Sequence, residues 1–226
     1  MIKAVLFDLD GTIVDSIDAM WQAFQTGVTA FKLEPVPKER VMDFLSRGIM
    51  VDEMLGYIYP HLITETGSSL VDEIMAEMRK GYPAQKEQMG LVDGALELLS
   101  QLRLRGVKTG VVTSRRSVPE RLELELTRFG IARFIDVVVT SAEARRKPEP
   151  DTVIECVKLL ELLPEECVMV GDAQVDVIAG KAAGVKTVAV TTGAGSRSAL
   201  AAESPDFIFD NLLSLVDKLD LILDSI

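Results

Sequence analysis

The sequence predicts an α/β fold: a Rossmann-like parallel sheet with helices on both faces, and an inserted α-helical cap. Three observations carry this. From residue 91 onward, short β-branched runs alternate with segments of helical length, the rhythm of βαβ units. Residues 15–89 break that rhythm, with apolar residues at three- and four-residue spacing. The first strand is an unbroken apolar run, the composition of a strand buried on both faces.

Taken in order, Ile2, Ala4, Val5, Leu6 and Phe7 make that first strand, which runs into Asp8-Leu9-Asp10-Gly11-Thr12. The core is expected to comprise 1–14 and 90–226, and the cap 15–89, with hinges near Val14-Asp15 and Gly90-Leu91. In the cap, Ile17, Met20, Trp21, Phe24 and Val28 share one helical face. Val41, Phe44 and Leu45 suggest a second helix, Met54 to Ile58 a third and Leu70 to Met78 a fourth. Pro35 and Pro37, then Gly67-Ser68-Ser69, mark the breaks. An insert at this point is expected to stand over the strand ends, where parallel sheets bind ligands.

In the core, Gly94 to Arg105 reads as a helix stopped by Gly106, and Val107 to Thr113 as a strand. Pro119 to Phe129 is a helix closed by Gly130, and Asp136 to Thr140 a β-branched run. Pro150 to Leu163 is a helix between prolines, and Cys167 to Gly171 a buried strand. Asp176 to Ala183 is a helix ending at Gly184, followed by a strand from Val185 to Val190. Phe207-Ile208-Phe209 supplies a last short strand, and Leu212 to Leu223 a closing helix.

A chain of 226 residues with 48% hydrophobic residues can bury a sizeable core. Its net charge of −11 argues against nucleic acid or an anionic membrane as the main partner. An anionic small substrate stays compatible where a metal and a few cations reverse the sign locally. Cys156 and Cys167 lack a metal-ligand spacing and read as reduced core residues. No apolar run approaches the roughly 18 to 20 residues of a membrane span, and residues 1–7 make a poor signal peptide. A cytoplasmic protein, monomeric or homodimeric, is expected.

The chemistry concentrates where strands end. Side chains alternate along a strand, so Asp8 and Asp10 project to one side, and Gly11 lets the backbone turn close to a ligand. Such a pair can hold a hard divalent cation, or divide labour between nucleophile and general acid/base. Three further segments add to it: Val111-Val112-Thr113-Ser114, Lys147-Pro148-Glu149-Pro150, and Gly171-Asp172-Ala173-Gln174-Val175-Asp176. In isolation each has a structural role open to it. An Asp can end a strand or cap a helix, Thr113 can cap a turn, and Lys147 can be a solvated surface lysine. Together they supply a nucleophile, a hydroxyl, a fixed positive charge and a metal site, a set suited to phosphoryl transfer.

These four segments, in this order, resemble the haloacid dehalogenase superfamily, over 1–14 and about 91–226. The similarity is greatest to its phosphoglycolate phosphatase-like and β-phosphoglucomutase-like members, which carry a helical cap after the first motif. Two positions depart from the common pattern: Ala173, where many relatives have Ser, and Ser114, where Asn is common. The resemblance implies that Asp8 attacks phosphorus and that Asp10 serves as acid and then base. It implies that Thr113, Ser114 and Lys147 hold the phosphoryl group. Mg²⁺ is then held by Asp8, the Asp10 carbonyl and Asp172. Asp176 is left with three roles: holding Lys147, holding a metal-bound water, or capping its helix.

Within the cap, Arg47 beside Ser46 and Gly48 is the candidate for reaching substrate, with a solvated helix-end arginine as the alternative. His61 reads as a surface residue, and Trp21 with Phe24 as cap core. The expected function is Mg²⁺-dependent hydrolysis of a small phosphomonoester, with 2-phosphoglycolate a candidate. A phosphosugar mutase, an inorganic pyrophosphatase and a non-catalytic phosphometabolite-binding protein are the alternatives.

Overall fold

The computed structural model describes residues 1–62, 69–87 and 89–224. Gly67 and Ser68 of the predicted break lie outside these described residues. The chain divides into two compact units, Ser16–Met89 and Met1–Asp15 with Gly90–Ile226.

The first unit is helical: α1 (Ile17–Ala30), α2 (Lys38–Ser46), α3 (Val51–Ile58) and α4 (Ser69–Lys86). α1 lies against α4, and α3 also packs on α4. Phe24 and Val28 of α1, Val41 of α2, Met54 and Leu55 of α3, and Ile74 of α4 are buried. Burial of each such side chain contributes about 1.5–3 kcal/mol. Trp21 sits at the margin, where its indole Nε1 and the Gln25 amide both donate to the Val36 carbonyl, at 3.4 and 2.5 Å. That fastens the proline-containing connection to α1. The fourth helix continues past Met78 to Lys86, because a polar stretch such as Arg79-Lys80 has no apolar period to reveal it.

The second unit is built on a six-stranded sheet ordered β5-β4-β1-β6-β7-β8. Its strands are β1 (Ala4–Phe7), β4 (Lys108–Thr113), β5 (Val137–Thr140), β6 (Cys167–Gly171), β7 (Lys186–Val190) and β8 (Phe207–Phe209). Every pairing is parallel, and Phe7 lies opposite Val111 and Val170. β2 (Val14–Asp15) and β3 (Gly90–Leu91) pair antiparallel, so the two connecting segments run side by side at the predicted hinge positions. The helices are α5 (Ala95–Leu104), α6 (Pro119–Arg128), α7 (Asp151–Leu159), α8 (Gln174–Ala182), α9 (Arg197–Ala202), α10 (Leu212–Val216) and α11 (Leu219–Leu223).

Ala4, Leu6, Val112, Cys167 and Met169 pack with Val153, Cys156 and Val157 of α7 and Ala179 of α8 in one buried cluster. Val5 and Phe7 alternate to the other face and are equally buried. Helices therefore cover both faces, as the unbroken apolar run predicts.

In this second unit, two helices end well away from expectation. α7 stops at Leu159, because Glu161 turns into the left-handed region at φ 58°. The Leu162 N–H then reaches the Val157 carbonyl at 3.2 Å, and the Glu161 N–H that of Lys158 at 3.0 Å, a Schellman closure. The closing helix is two short ones, broken at Asp217-Lys218. Leu212, Leu215, Leu219 and Ile222 are all buried across the break, so periodicity alone reads a single helix. No helix among the described residues is long and apolar enough to cross a membrane.

Candidate active site

Strands β1, β4 and β6 are neighbours at the sheet centre, so their C-terminal ends bring residues far apart in sequence to one place. Asp8 directly follows β1, and its N–H extends the ladder to the Val170 carbonyl at 2.9 Å. Gly11 then adopts φ 85°. A Cβ there would lie 2.7 Å from Asp172 Oδ2, so both the backbone conformation and the space require glycine. Thr12 is fully buried, and its hydroxyl donates to Asp172 Oδ1 at 2.6 Å. The turn after β1 thus holds an acid at the end of β6.

Lys147 is 2% exposed. Its Nζ donates to Asp8 Oδ1 at 2.6 Å, Asp176 Oδ1 at 2.6 Å and the Val112 carbonyl at 2.9 Å, which uses all three ammonium hydrogens. Asp172 Oδ2 accepts from the Ala194 N–H at 2.7 Å. Asp176 does two of the three things open to it: besides holding Lys147, its Oδ2 accepts from the Ala173 N–H at 2.9 Å, at the start of α8.

The charges do not balance. Asp8, Asp172 and Asp176 place ligand oxygens within 4.8 Å of one another around one lysine. Burial raises the Asp8 carboxyl to about 7, with Asp176 and Asp10 adding to the rise and Lys147 opposing it. Burial likewise raises Asp172, reinforced by Asp8 and Asp176 and opposed by Thr12 and Ala194. Burial alone would lower Lys147, but Asp176 and Asp8 outweigh it and hold the ammonium above the usual lysine range. One ammonium cannot neutralise three buried carboxylates, and a divalent cation relieves that surplus. The donors are hard carboxylate oxygens, and Asp8 Oδ2 accepts no hydrogen bond from the described residues. The set fits a Mg²⁺-like ion.

The remaining predicted residues fall as follows. Thr113 is buried at the end of β4, its Oγ1 accepting from the Arg115 N–H at 3.2 Å. Ser114 accepts through its carbonyl from the Ser141 hydroxyl at 2.8 Å. Arg47 ends α2 in the helical unit, half-exposed, with Nη1 3.4 Å from Asp43. His61 is exposed. The Asp10 side chain stands outside the three-acid cluster and is held by Arg115.

Arg115 and its partner Glu125 are absent from the sequence-based set. Glu125 had a readable signal: it shares a helix face with Leu122, Leu126 and Phe129, where a charge is out of place. Nothing local marks Arg115.

Fold and site define the class first, an α/β phosphatase. The chain belongs to the haloacid dehalogenase-like hydrolase family, whose model matches residues 5–190. It is 32% identical over 232 residues to a Clostridium perfringens protein named "Putative pyrophosphatase PpaX", covering 97% of this chain and 100% of that one. It is 28% identical to the pyrophosphatase PpaX of Bacillus cereus strain Q1, covering 95% of each. Among solved structures, one titled a predicted phosphoglycolate phosphatase from Haemophilus somnus superposes with a TM-score of 0.82 at 22% identity, over 97% of this chain and 98% of that one. That likeness speaks for the fold.

Proposed function

We propose that this chain hydrolyses a small phosphorylated metabolite through an aspartyl-phosphate on Asp8. The observation that carries the reading is buried Lys147 bridging Asp8 and Asp176, with Asp172 beside them. Asp8 attacks phosphorus, and the bond to the leaving oxygen breaks as Asp10 gives that oxygen a proton. Water then attacks the same phosphorus, Asp10 takes its proton, and the Asp8 carboxylate departs. Lys147 offsets the repulsion between nucleophile and phosphate, and Thr113 with Ser114 holds phosphoryl oxygens. Asp8, the Asp10 carbonyl and Asp172 would hold Mg²⁺, which supplies neutralisation of charge on the transferring group. Buried free Cys156 and Cys167 support a cytoplasmic location.

For the substrate, the PpaX relatives favour inorganic pyrophosphate over 2-phosphoglycolate. A panel of pyrophosphate, 2-phosphoglycolate and sugar phosphates, with and without a sugar bisphosphate activator, separates hydrolase from mutase. Pyrophosphate is expected to give the highest kcat/KM, with turnover stopped by EDTA and restored by Mg²⁺. Activator-dependent isomerisation of a sugar phosphate would favour the mutase instead.

Gly193 offers a test of the metal assignment. A Cβ there would lie 1.9 Å from Asp172 Oδ2. Gly193→Ala must displace that carboxylate or the loop bearing Ala194, and is expected to weaken Mg²⁺ binding by about tenfold to a hundredfold by calorimetric titration.

A further inference from the structure

We infer that Arg115 and Glu125 form a clamp that positions the Asp10 carboxylate, an inference that rests on the reading of Asp10 as acid and base. Arg115 follows the end of β4 and meets Asp10 along two arms, Nε to Oδ2 and Nη2 to Oδ1, each 2.6 Å. Paired in this way, a guanidinium fixes the plane of a carboxylate as well as its position. A lysine point charge fixes neither. Nη1 donates to Glu125 Oε1 at 3.0 Å.

Glu125 is 7% exposed and lies on α6 between buried Leu122 and Leu126. A carboxylate there is costly unless paired, and the guanidinium pairs it. The Arg115 backbone is fixed too. Its N–H donates to Thr113 Oγ1 at 3.2 Å, and its carbonyl accepts from the Ser141 N–H at 3.0 Å. Asp10 itself lies beyond the end of β1, in an isolated bridge with Val14 outside the six-stranded sheet, so the ladder of that sheet does not set its side chain. The order of support runs from α6 through Glu125 and Arg115 to Asp10. Arg115 is a positioning residue: it acts on the reaction through the proton carrier.

The test is the dependence of kcat/KM on leaving group, which reports the first phosphoryl transfer. Phenyl phosphate needs a proton for its leaving oxygen, whereas p-nitrophenyl phosphate needs one far less. Two variants guard against misfolding, with circular dichroism melts run on each. Arg115→Lys keeps a cation against Glu125, and the double variant Arg115→Gln with Glu125→Gln leaves neither charge buried. Both are expected to lose about tenfold more kcat/KM on phenyl phosphate than on p-nitrophenyl phosphate. Asp10→Asn is expected to show the same selective loss, only larger. Equal losses on both esters, or none, in the Arg115 variants while Asp10→Asn stays selective would overturn the clamp alone. A non-selective Asp10→Asn would overturn the acid/base reading and the clamp with it.

Discussion

Replacing Asp8 with Asn is expected to abolish turnover of every phosphate compound the enzyme accepts, by about four orders of magnitude or more. The amide keeps the shape of the side chain but cannot act as a nucleophile. The fold should survive and, without divalent cation, gain stability. Asp8 ionises only near 7 because its carboxylate is buried among other acids, so a neutral side chain removes a cost. Steady-state assay and thermal melting, both run on purified protein, read the two effects. Activity at the wild-type level would remove Asp8 from the chemistry.

Replacing Lys147 with Met should have the opposite effect on stability. The ammonium is the one cation hydrogen-bonded to both Asp8 and Asp176 among the described residues. Removing one partner of a buried ion pair costs about 3–5 kcal/mol, since the charges left behind stay desolvated. The loss should depend on pH. Asp8 titrates near 3.8 in the unfolded chain and higher in the native one, and loss of Lys147 raises the native value further. Between the two values the native state holds the extra proton, so stability falls as pH rises. Lys147→Met should therefore be most damaging above pH 7 and milder near pH 5, as urea melts at both would register. A pH-independent loss would mean that packing, not charge, dominates at this position.

The sheet was legible because each of its buried strands is a compact apolar run with punctuation on either side. Cys167 to Gly171 and Phe207 to Phe209 match the observed strands at both ends: the first is buried throughout, and the second, half-buried at the sheet edge, is an apolar run bounded by Asp206 and Asp210. Helix ends were harder. The left-handed Glu161 that stops α7 has no composition signal, because glycine is the residue expected there. The three-acid cluster was legible in part. Asp8 and Asp172 directly follow readable strands and Asp176 lies in the first turn of α8, but the sharing of one lysine across separations of 139 and 29 residues is a tertiary fact. The Arg115–Asp10 pair is the clearest omission. A residue beyond a strand end looks like any solvated arginine until the parallel register sets β4 beside β1.

The covalent intermediate itself can be observed directly. Enzyme acid-quenched during turnover of pyrophosphate or p-nitrophenyl phosphate would be digested and its peptides weighed. A phosphoryl increment is expected on the peptide spanning Asp8, released by hydroxylamine and missing from Asp8→Asn. Rapid turnover with no such increment, or an increment on another residue, would contradict the role given to Asp8.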